Sequence, residues 1–164
     1  MDNADRYPLY CRMMDELKLT NELMNEYDSL PHDYGNEVLY QSEAHLIQFI
    51  GKNPGTTVTE AALWFKKTKS ACSQMVKKLV NKNWVVQKQN VLNNREYNLY
   101  LTDAGKIVYE HHENFDRMSY EHNSKQLGDF TDEELELFIR IEKQMNKLIG
   151  LDVERSYDYF KPKG

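Results

Sequence analysis

The segment from Cys72 to Val80 constrains the fold most, because its apolar side chains repeat at the spacing of a single helix face. That face comprises Cys72, Met75, Val76, Leu79 and Val80. The other side of the same helix carries lysine, serine and glutamine. The pattern predicts a helix that packs on a small core through one stripe and keeps a polar, basic surface in solvent.

A shorter helix is predicted just before this one. Thr57 and Glu60 have the spacing of a capping box, which indicates a helix over about residues 58–65. Asn83 is suited to the left-handed position that stops the longer helix. Two helices joined by so short a turn are typical of a helix-turn-helix unit.

A β-hairpin is predicted after the second of these helices. Residues 84–89 and 97–101 read as two short strands. Asn93 and Asn94, in the loop between them, tolerate positive φ in a tight turn. The order of short helix, longer helix and hairpin predicts a winged helix-turn-helix, in which the hairpin is the wing.

Long helices are predicted on both sides of this unit. A first helix occupies the first thirty residues and closes at Pro31, and Ser42 caps a second helix. Thr102 caps a fifth helix, and a second capping box formed by Thr131 and Glu134 opens a sixth. The outer helices carry more apolar surface than the middle could cover, so we expect a second copy of the chain to cover it in a homodimer.

The length and composition favour one domain. Of the 164 residues, 40% are hydrophobic and 29% are charged, which suffices for one core. We expect a mainly α (α+β) fold, with a single domain over residues 1–164. Its winged helix core would span about residues 42–106, and its dimerisation helices would lie in residues 1–35 and 107–164.

The sequence contains no signal for secretion or for membrane insertion. Two cysteines, Cys11 and Cys72, are too few for a disulfide scaffold. No apolar run reaches the roughly 18 residues of a spanning helix, and the N-terminus lacks the basic and apolar regions of a signal peptide. We therefore expect a soluble, cytoplasmic protein without a membrane partner.

Charge is segregated along the chain. The formal net charge is −5, yet residues 61–95 contain eight basic residues and no acidic one, leaving 13 basic residues against all 26 acidic ones elsewhere. This basic segment coincides with the predicted helix-turn-helix and wing. The segment favours a polyanionic partner such as DNA.

The polar side of the longer helix carries side chains that recognise bases. In a winged helix-turn-helix the second helix enters the major groove and presents its first turns to the base edges. The residues expected to do so are Lys69, Ser70, Ser73, Gln74 and Lys77. Lys78 and Lys82 are expected to meet phosphates, which position a protein without specifying sequence.

The run TVTEAALWFKKTKSACSQMVKKLVNKNWVVQK, followed by NNREYNLYLTDAGK, resembles the DNA-binding core of MarR family transcriptional regulators. The similarity covers about residues 42–106, and LTDAG after the second strand is among its most specific pieces. The resemblance implies a homodimer on a pseudopalindromic operator, with recognition helices in successive major grooves and wings in the flanking minor grooves.

The chain departs from the family pattern at the turn and at the wing. Lys66 stands where the family often has glycine, so a slightly strained or differently shaped turn is expected. The family's Asp-Arg-Arg wing sequence corresponds to Asn93, Asn94 and Arg95. Only Arg95 keeps its charge, and it is the candidate for insertion into a narrow minor groove.

A second set of residues could bind an effector. His112 and Asp116 lie four apart on the predicted fifth helix, and His45 lies on the second. In zinc-responsive members of the family, histidines of these two helices and an acid of the first helix bind zinc. The resemblance places His45, His112 and Asp116 at such positions, with Glu26 or Asp28 near that of the acid.

Three other interpretations of these residues stay open. They could form hydrogen bonds between the dimerisation and DNA-binding parts, or the cleft there could bind a small organic effector instead of zinc or another divalent metal. The run from His112 to Asp116 also approaches the His-Glu-x-x-His motif of metalloproteases, but it lacks the second histidine.

The sequence thus predicts a homodimeric regulator that binds double-stranded promoter DNA, acts as a repressor and is modulated by a small ligand or a metal ion. No phosphate-binding loop, nucleophile elbow or dinucleotide fingerprint occurs, so an enzyme is not expected. The alternative is a winged helix module whose basic surface binds an acidic protein and which has no specific affinity for DNA.

Overall fold

The computed structural model describes residues 6–34, 37–91, 93 and 96–160. Its described elements are six helices and four strands. The helices are α1 (Tyr7–Ser29), α2 (Gln41–Lys52), α3 (Val58–Trp64), α4 (Lys69–Asn81), α5 (Asp103–Gln126) and α6 (Asp132–Phe160). The strands are β1 (Pro31–Asp33), β2 (Val38–Tyr40), β3 (Val85–Gln89) and β4 (Tyr97–Leu101). The fold is mainly helical, as predicted, and includes the expected hairpin.

The chain forms two compact units, residues 1–117 and residues 118–164. The first unit contains α1 to α4 and both hairpins, and the second contains α6. The prediction of a single domain stays a prediction. No described helix is both long and apolar enough to cross a membrane.

The core of the first unit lies under the predicted helix-turn-helix. Leu46, Ile47 and Ile50 of α2 are buried together with Val76 and Leu79 of α4. As predicted, the apolar stripe of α4 faces the core, and its polar side is left in solvent.

The cap of α3 and the stop of α4 are those that the sequence predicts. Thr57 Oγ1 accepts a hydrogen bond from the backbone N–H of Glu60 at 3.2 Å, which closes the predicted capping box. Lys66 has φ of +51° and Asn83 has φ of +58°, so both residues adopt the left-handed conformation. The turn at Lys66 therefore carries the strain expected of a lysine in a position that glycine prefers.

One local prediction was wrong, and one element was not predicted. The second helix begins at Gln41 with Tyr40 as its N-cap, and Ser42 lies inside it. The Glu43 carboxylate accepts a hydrogen bond from the Tyr40 N–H at 3.4 Å, so an acidic residue in the first turn replaces the hydroxyl cap. The β1–β2 hairpin, in which His32 pairs with Leu39, was not predicted.

Candidate nucleic-acid interface and histidine cluster

Helix α4 exposes the residues predicted to read bases. Cys72, Val76 and Leu79 are buried on one side of the helix, so the opposite side faces solvent. The exposed side chains are Lys69, Ser70, Ser73, Gln74, Lys77 and Lys78, which together form the reading surface. Every α4 residue proposed from the sequence for this surface lies on it.

A cleft of about 380 Å³ separates the reading surface from the wing. Its lining combines α3, the start of α4 and both wing strands: Thr57, Val58, Thr59, Lys69, Ser70, Ser73, Gln87, Glu96 and Tyr97. We call it the wing cleft. Sequence reasoning missed Thr59, Gln87 and Glu96, because nothing in the local pattern indicates that these residues meet.

Backbone hydrogen bonds attach the wing to the start of α3. The Leu99 N–H donates to the carbonyl of Thr56 at 2.7 Å, and the Gly55 N–H donates to the carbonyl of Leu99 at 2.9 Å. Thr57 forms an isolated antiparallel bridge with Asn98. Strand β4 is thereby held beside the helix-turn-helix, which fixes the base of the wing.

The base of the wing loop is held by asparagine. Asn90 Nδ2 donates to Asn98 Oδ1 at 2.9 Å across the strands. The Glu96 N–H donates to the carbonyl of Asn93 at 2.9 Å. The predicted minor-groove residue, Arg95, lies outside the described residues, as does Asn94.

Lys82, predicted to meet phosphates, has partners within the chain. Its Nζ lies 3.8 Å from Glu43 Oε2 and 4.5 Å from the centroid of the Trp84 ring. The carboxylate and the face of the indole ring both attract this cation. Lys82 therefore has contacts within the chain at the end of α4, and it is exposed like Lys77 and Lys78.

The LTDAG motif forms the joint between the end of α4 and α5. Thr102 Oγ1 donates to the carbonyl of Asn83 at 2.6 Å and accepts from the Gly105 N–H at 3.0 Å, so Thr102 caps α5 as predicted. Gly105 packs against the backbone of Trp84, and a Cβ placed there would lie 1.9 Å from the Trp84 carbonyl oxygen. Only glycine permits this close approach.

The three ligand candidates on α2 and α5 lie close together. The ring centroids of His45 and His112 are 5.6 Å apart, and His112 Nδ1 lies 3.5 Å from Asp116 Oδ1. The ring of Tyr34, a residue that the sequence did not suggest, packs edge-on against His112 with centroids 5.0 Å apart. We call His45, His112 and Asp116 the histidine cluster.

His112 is fully buried, and neither of its ring nitrogens has a hydrogen-bond partner within the described part of the chain. Burial lowers the pKa of His112 from its ordinary value, against the opposing effect of the Asp116 carboxylate. The neutral imidazole is therefore favoured, and this is the form that binds metal ions.

The described residues do not form a complete metal site. No group of three or more His, Cys, Asp or Glu side chains among them is arranged to hold an ion. Glu26, the proposed fourth ligand, is exposed on α1. The histidine cluster fits a metal in its donor types and in its unpaired buried nitrogens, but its side chains would have to turn toward a common point.

A polar link that the sequence did not suggest joins α2 to α5 beside the cluster. Gln48 Nε2 donates to Glu113 Oε1 at 2.7 Å, and Lys52 Nζ lies 3.0 Å from the same oxygen. These contacts lower the pKa of Glu113, with the hydrogen bond from Gln48 as the largest cause. Glu113 therefore stays ionised next to His112 and ties the two helices together.

Comparison with solved structures gives matches over most of the chain. FabT of Streptococcus pneumoniae in complex with DNA has a TM-score of 0.68 and 20% identity, covering 86% of this chain and 97% of that one. ZitR of Lactococcus lactis, a zinc-responsive MarR family member, has a TM-score of 0.70 and 15% identity, covering 86% and 99%. The adhesin competence repressor AdcR of Streptococcus pyogenes has a TM-score of 0.61 and 19% identity, covering 84% and 96%.

Comparison of the sequence with family models and with curated proteins gives no match. The structural similarity nevertheless spans nearly the whole length of each solved chain. The chain therefore has the winged helix fold of MarR family regulators, as the resemblance in residues 42–106 implied.

Proposed function

We propose that this chain is a homodimeric, sequence-specific DNA-binding transcriptional regulator that acts in the cytoplasm as a repressor. The observation that carries the proposal is the reading surface, which presents lysine, serine and glutamine in solvent beside a wing. The basic segment without acidic residues supplies the charge for a polyanion. The fold shared with FabT, a protein solved in complex with DNA, supports the same function.

Each part of the surface has a distinct role in this proposal. Gln74 can pair with adenine through two hydrogen bonds, and Lys69 can donate to guanine in the major groove. Lys78 contacts a phosphate and so positions the helix without specifying sequence. Arg95, outside the described residues, enters the minor groove.

The dimer is supported by apolar side chains that each unit leaves in solvent. None of the residues of α1 is buried, and Leu23 and Met24 on that helix are more than half exposed. In the second unit α6 exposes Phe138 and Tyr157, among other apolar residues. A second copy would cover such surfaces and place two α4 helices about 34 Å apart, the spacing of successive major grooves.

DNA binding at increasing salt tests the proposal. A regulator should prefer one duplex from its own promoter region over random DNA. It should also lose affinity steeply as salt rises, because the release of each counterion then gains less free energy. A chain that binds promoter and random duplexes equally would instead favour the alternative, a winged helix module for protein assembly. We expect no catalytic activity in either case.

We further propose that the histidine cluster receives the effector. Its support is the buried His112, whose neutral imidazole can offer one ring nitrogen to a metal ion, and the zinc-responsive ZitR has the same fold. His45, His112 and Asp116 would be the ligands, with Glu26 as a candidate fourth. A divalent ion would supply charge that draws α2 and α5 together. A small organic effector at the same place is the alternative.

Calorimetry with Zn²⁺ on the chelator-treated protein tests the metal. The wild-type protein should bind zinc, and His112→Ala should lose at least tenfold in affinity. His122→Ala removes an exposed histidine from the same helix and should leave binding unchanged. Equal, weak binding by all three proteins would exclude the cluster as a zinc site and favour the organic effector.

A further inference from the structure

The wing cleft contains a carboxylate within a surface that is otherwise neutral or basic. Glu96 is the acidic residue among its described lining residues, and Lys69 is the basic one. Glu96 is also the position at which the acid-free segment of the sequence ends. A negative charge therefore lies beside the reading surface, where phosphates would approach.

Glu60 and Glu96 lie at the two ends of this acid-free segment, and their carboxylates differ in the hydrogen bonds that they accept. Glu60 Oε2 accepts hydrogen bonds from the Thr57 N–H at 2.7 Å and from the hydroxyls of Thr56 and Thr57 at 3.0 Å. These bonds, with the Thr57 backbone bond as the largest cause, lower the pKa of Glu60. The Glu60 carboxylate is thus used as a helix cap.

Within the described part of the chain, the carboxylate of Glu96 accepts one long hydrogen bond, from Thr59 Oγ1 at 3.4 Å. Its backbone is fixed, because the Glu96 N–H donates to the Asn93 carbonyl and its own carbonyl accepts from the Asn90 N–H, each at 2.9 Å. Among the described residues the charge of Glu96 is therefore weakly compensated, and its backbone is held in place at the wing cleft.

We propose that Glu96 is a specificity-determining residue. Its carboxylate weakens the kind of DNA binding that uses phosphate contacts and no base contacts. The inference rests on the proposed DNA-binding function. Binding without sequence preference draws essentially all its free energy from phosphate contacts. The protein then occupies many registers on the DNA, and in many of them a phosphate comes close to the Glu96 carboxylate. Base contacts from α4 fix one register, in which the phosphates occupy positions that avoid Glu96.

Glu96→Gln tests this role, since it removes the charge and keeps the size of the side chain. Binding to a random duplex and to a duplex selected by the wild-type protein from a random pool is measured at several salt concentrations. Affinity for the random duplex should rise about fivefold, as for two like charges about 4 Å apart in water. The slope of log K against log salt should steepen by about 0.9. Affinity for the selected duplex should change less than about twofold, well below the fivefold gain.

Two matched variants control for other effects. Glu96→Asp keeps the charge and should retain the wild-type salt slope. Glu110→Gln removes one negative charge from an exposed position of α5 that does not line the wing cleft, and it should leave both affinities unchanged. These variants separate the location of the charge from the net charge of the protein.

Several results would overturn the inference. An unchanged affinity of Glu96→Gln for random DNA, an equal gain in Glu110→Gln, or an equal gain on the selected duplex would each remove the specificity role and leave the DNA-binding function intact. A wild-type protein that binds no duplex would overturn the DNA-binding function and this inference with it.

Discussion

Replacing His112 with leucine should stabilise the metal-free protein. The imidazole is fully buried and packs against Tyr34 and His45, and its two nitrogens have no hydrogen-bond partner among the described residues; Nδ1 lies 3.5 Å from Asp116 Oδ1. A buried polar group without a partner costs about 1–3 kcal/mol. Leucine has a similar volume and no polar atom, so it removes this cost without opening a cavity.

The expected gain for His112→Leu is thus about 1–3 kcal/mol in the free energy of unfolding. For a chain of this size, each kcal/mol shifts the melting temperature by about 2–4 °C. Thermal unfolding in the presence of a chelator, followed by circular dichroism, measures the shift. Added Zn²⁺ should raise the melting temperature of the wild-type protein and leave that of His112→Leu unchanged, because a ligand stabilises only the state that binds it.

Two further variants make the reasoning refutable. His112→Ala also removes the polar nitrogens but leaves a cavity, so it should be less stable than His112→Leu by about 2 kcal/mol. His122→Leu, at an exposed position, should change stability by no more than about 0.5 kcal/mol. A loss of more than about 1 kcal/mol in metal-free His112→Leu would mean that the imidazole nitrogens do have hydrogen-bond partners in solution.

Four other substitutions have definite expected outcomes. Gly105→Ala should lower the free energy of unfolding by about 3 kcal/mol or more, since its Cβ would clash with the Trp84 carbonyl, and denaturant unfolding would detect this. Lys66→Gly should raise it by about 1 kcal/mol, because glycine relieves the left-handed strain at φ of +51°; a loss of stability would contradict that strain. In binding measurements on a panel of operator variants, Gln74→Ala should relax preference at one base pair, whereas Lys78→Ala should weaken all duplexes alike.

The sequence predicted those features whose causes are local. The stripe of α4, the capping box at Thr57 and the left-handed stop at Asn83 each depend on residues within one or two turns. The β1–β2 hairpin was missed because its strands have three residues each and show no alternation of polar and apolar side chains long enough to read.

The candidate site could be predicted in part, because some of its groupings also depend on residues close together in the sequence. Spacing on one helix places Gln74 beside Lys77 and His112 beside Asp116, so those groupings could be proposed from the sequence. The packing of Tyr34 on His112 joins residues 78 positions apart in the chain, which no local pattern reports. Whether a polar side chain meets a partner depends on such distant contacts, so the unpaired state of His112 could not be foreseen.

The joint at Gly105 makes the first part of α5 a lever. From Gly105 to Arg117 a helix rises about 18 Å, and from Gly105 to His112 about 10 Å. Because the backbones of Gly105 and Trp84 are in contact, α5 has little freedom to slide there and turns as a rod about that point. A sideways displacement of about 1 Å at His112 then corresponds to a rotation of about 6° at the joint, by the same rise per residue. Thr102, bonded to Asn83, passes that rotation to the end of α4.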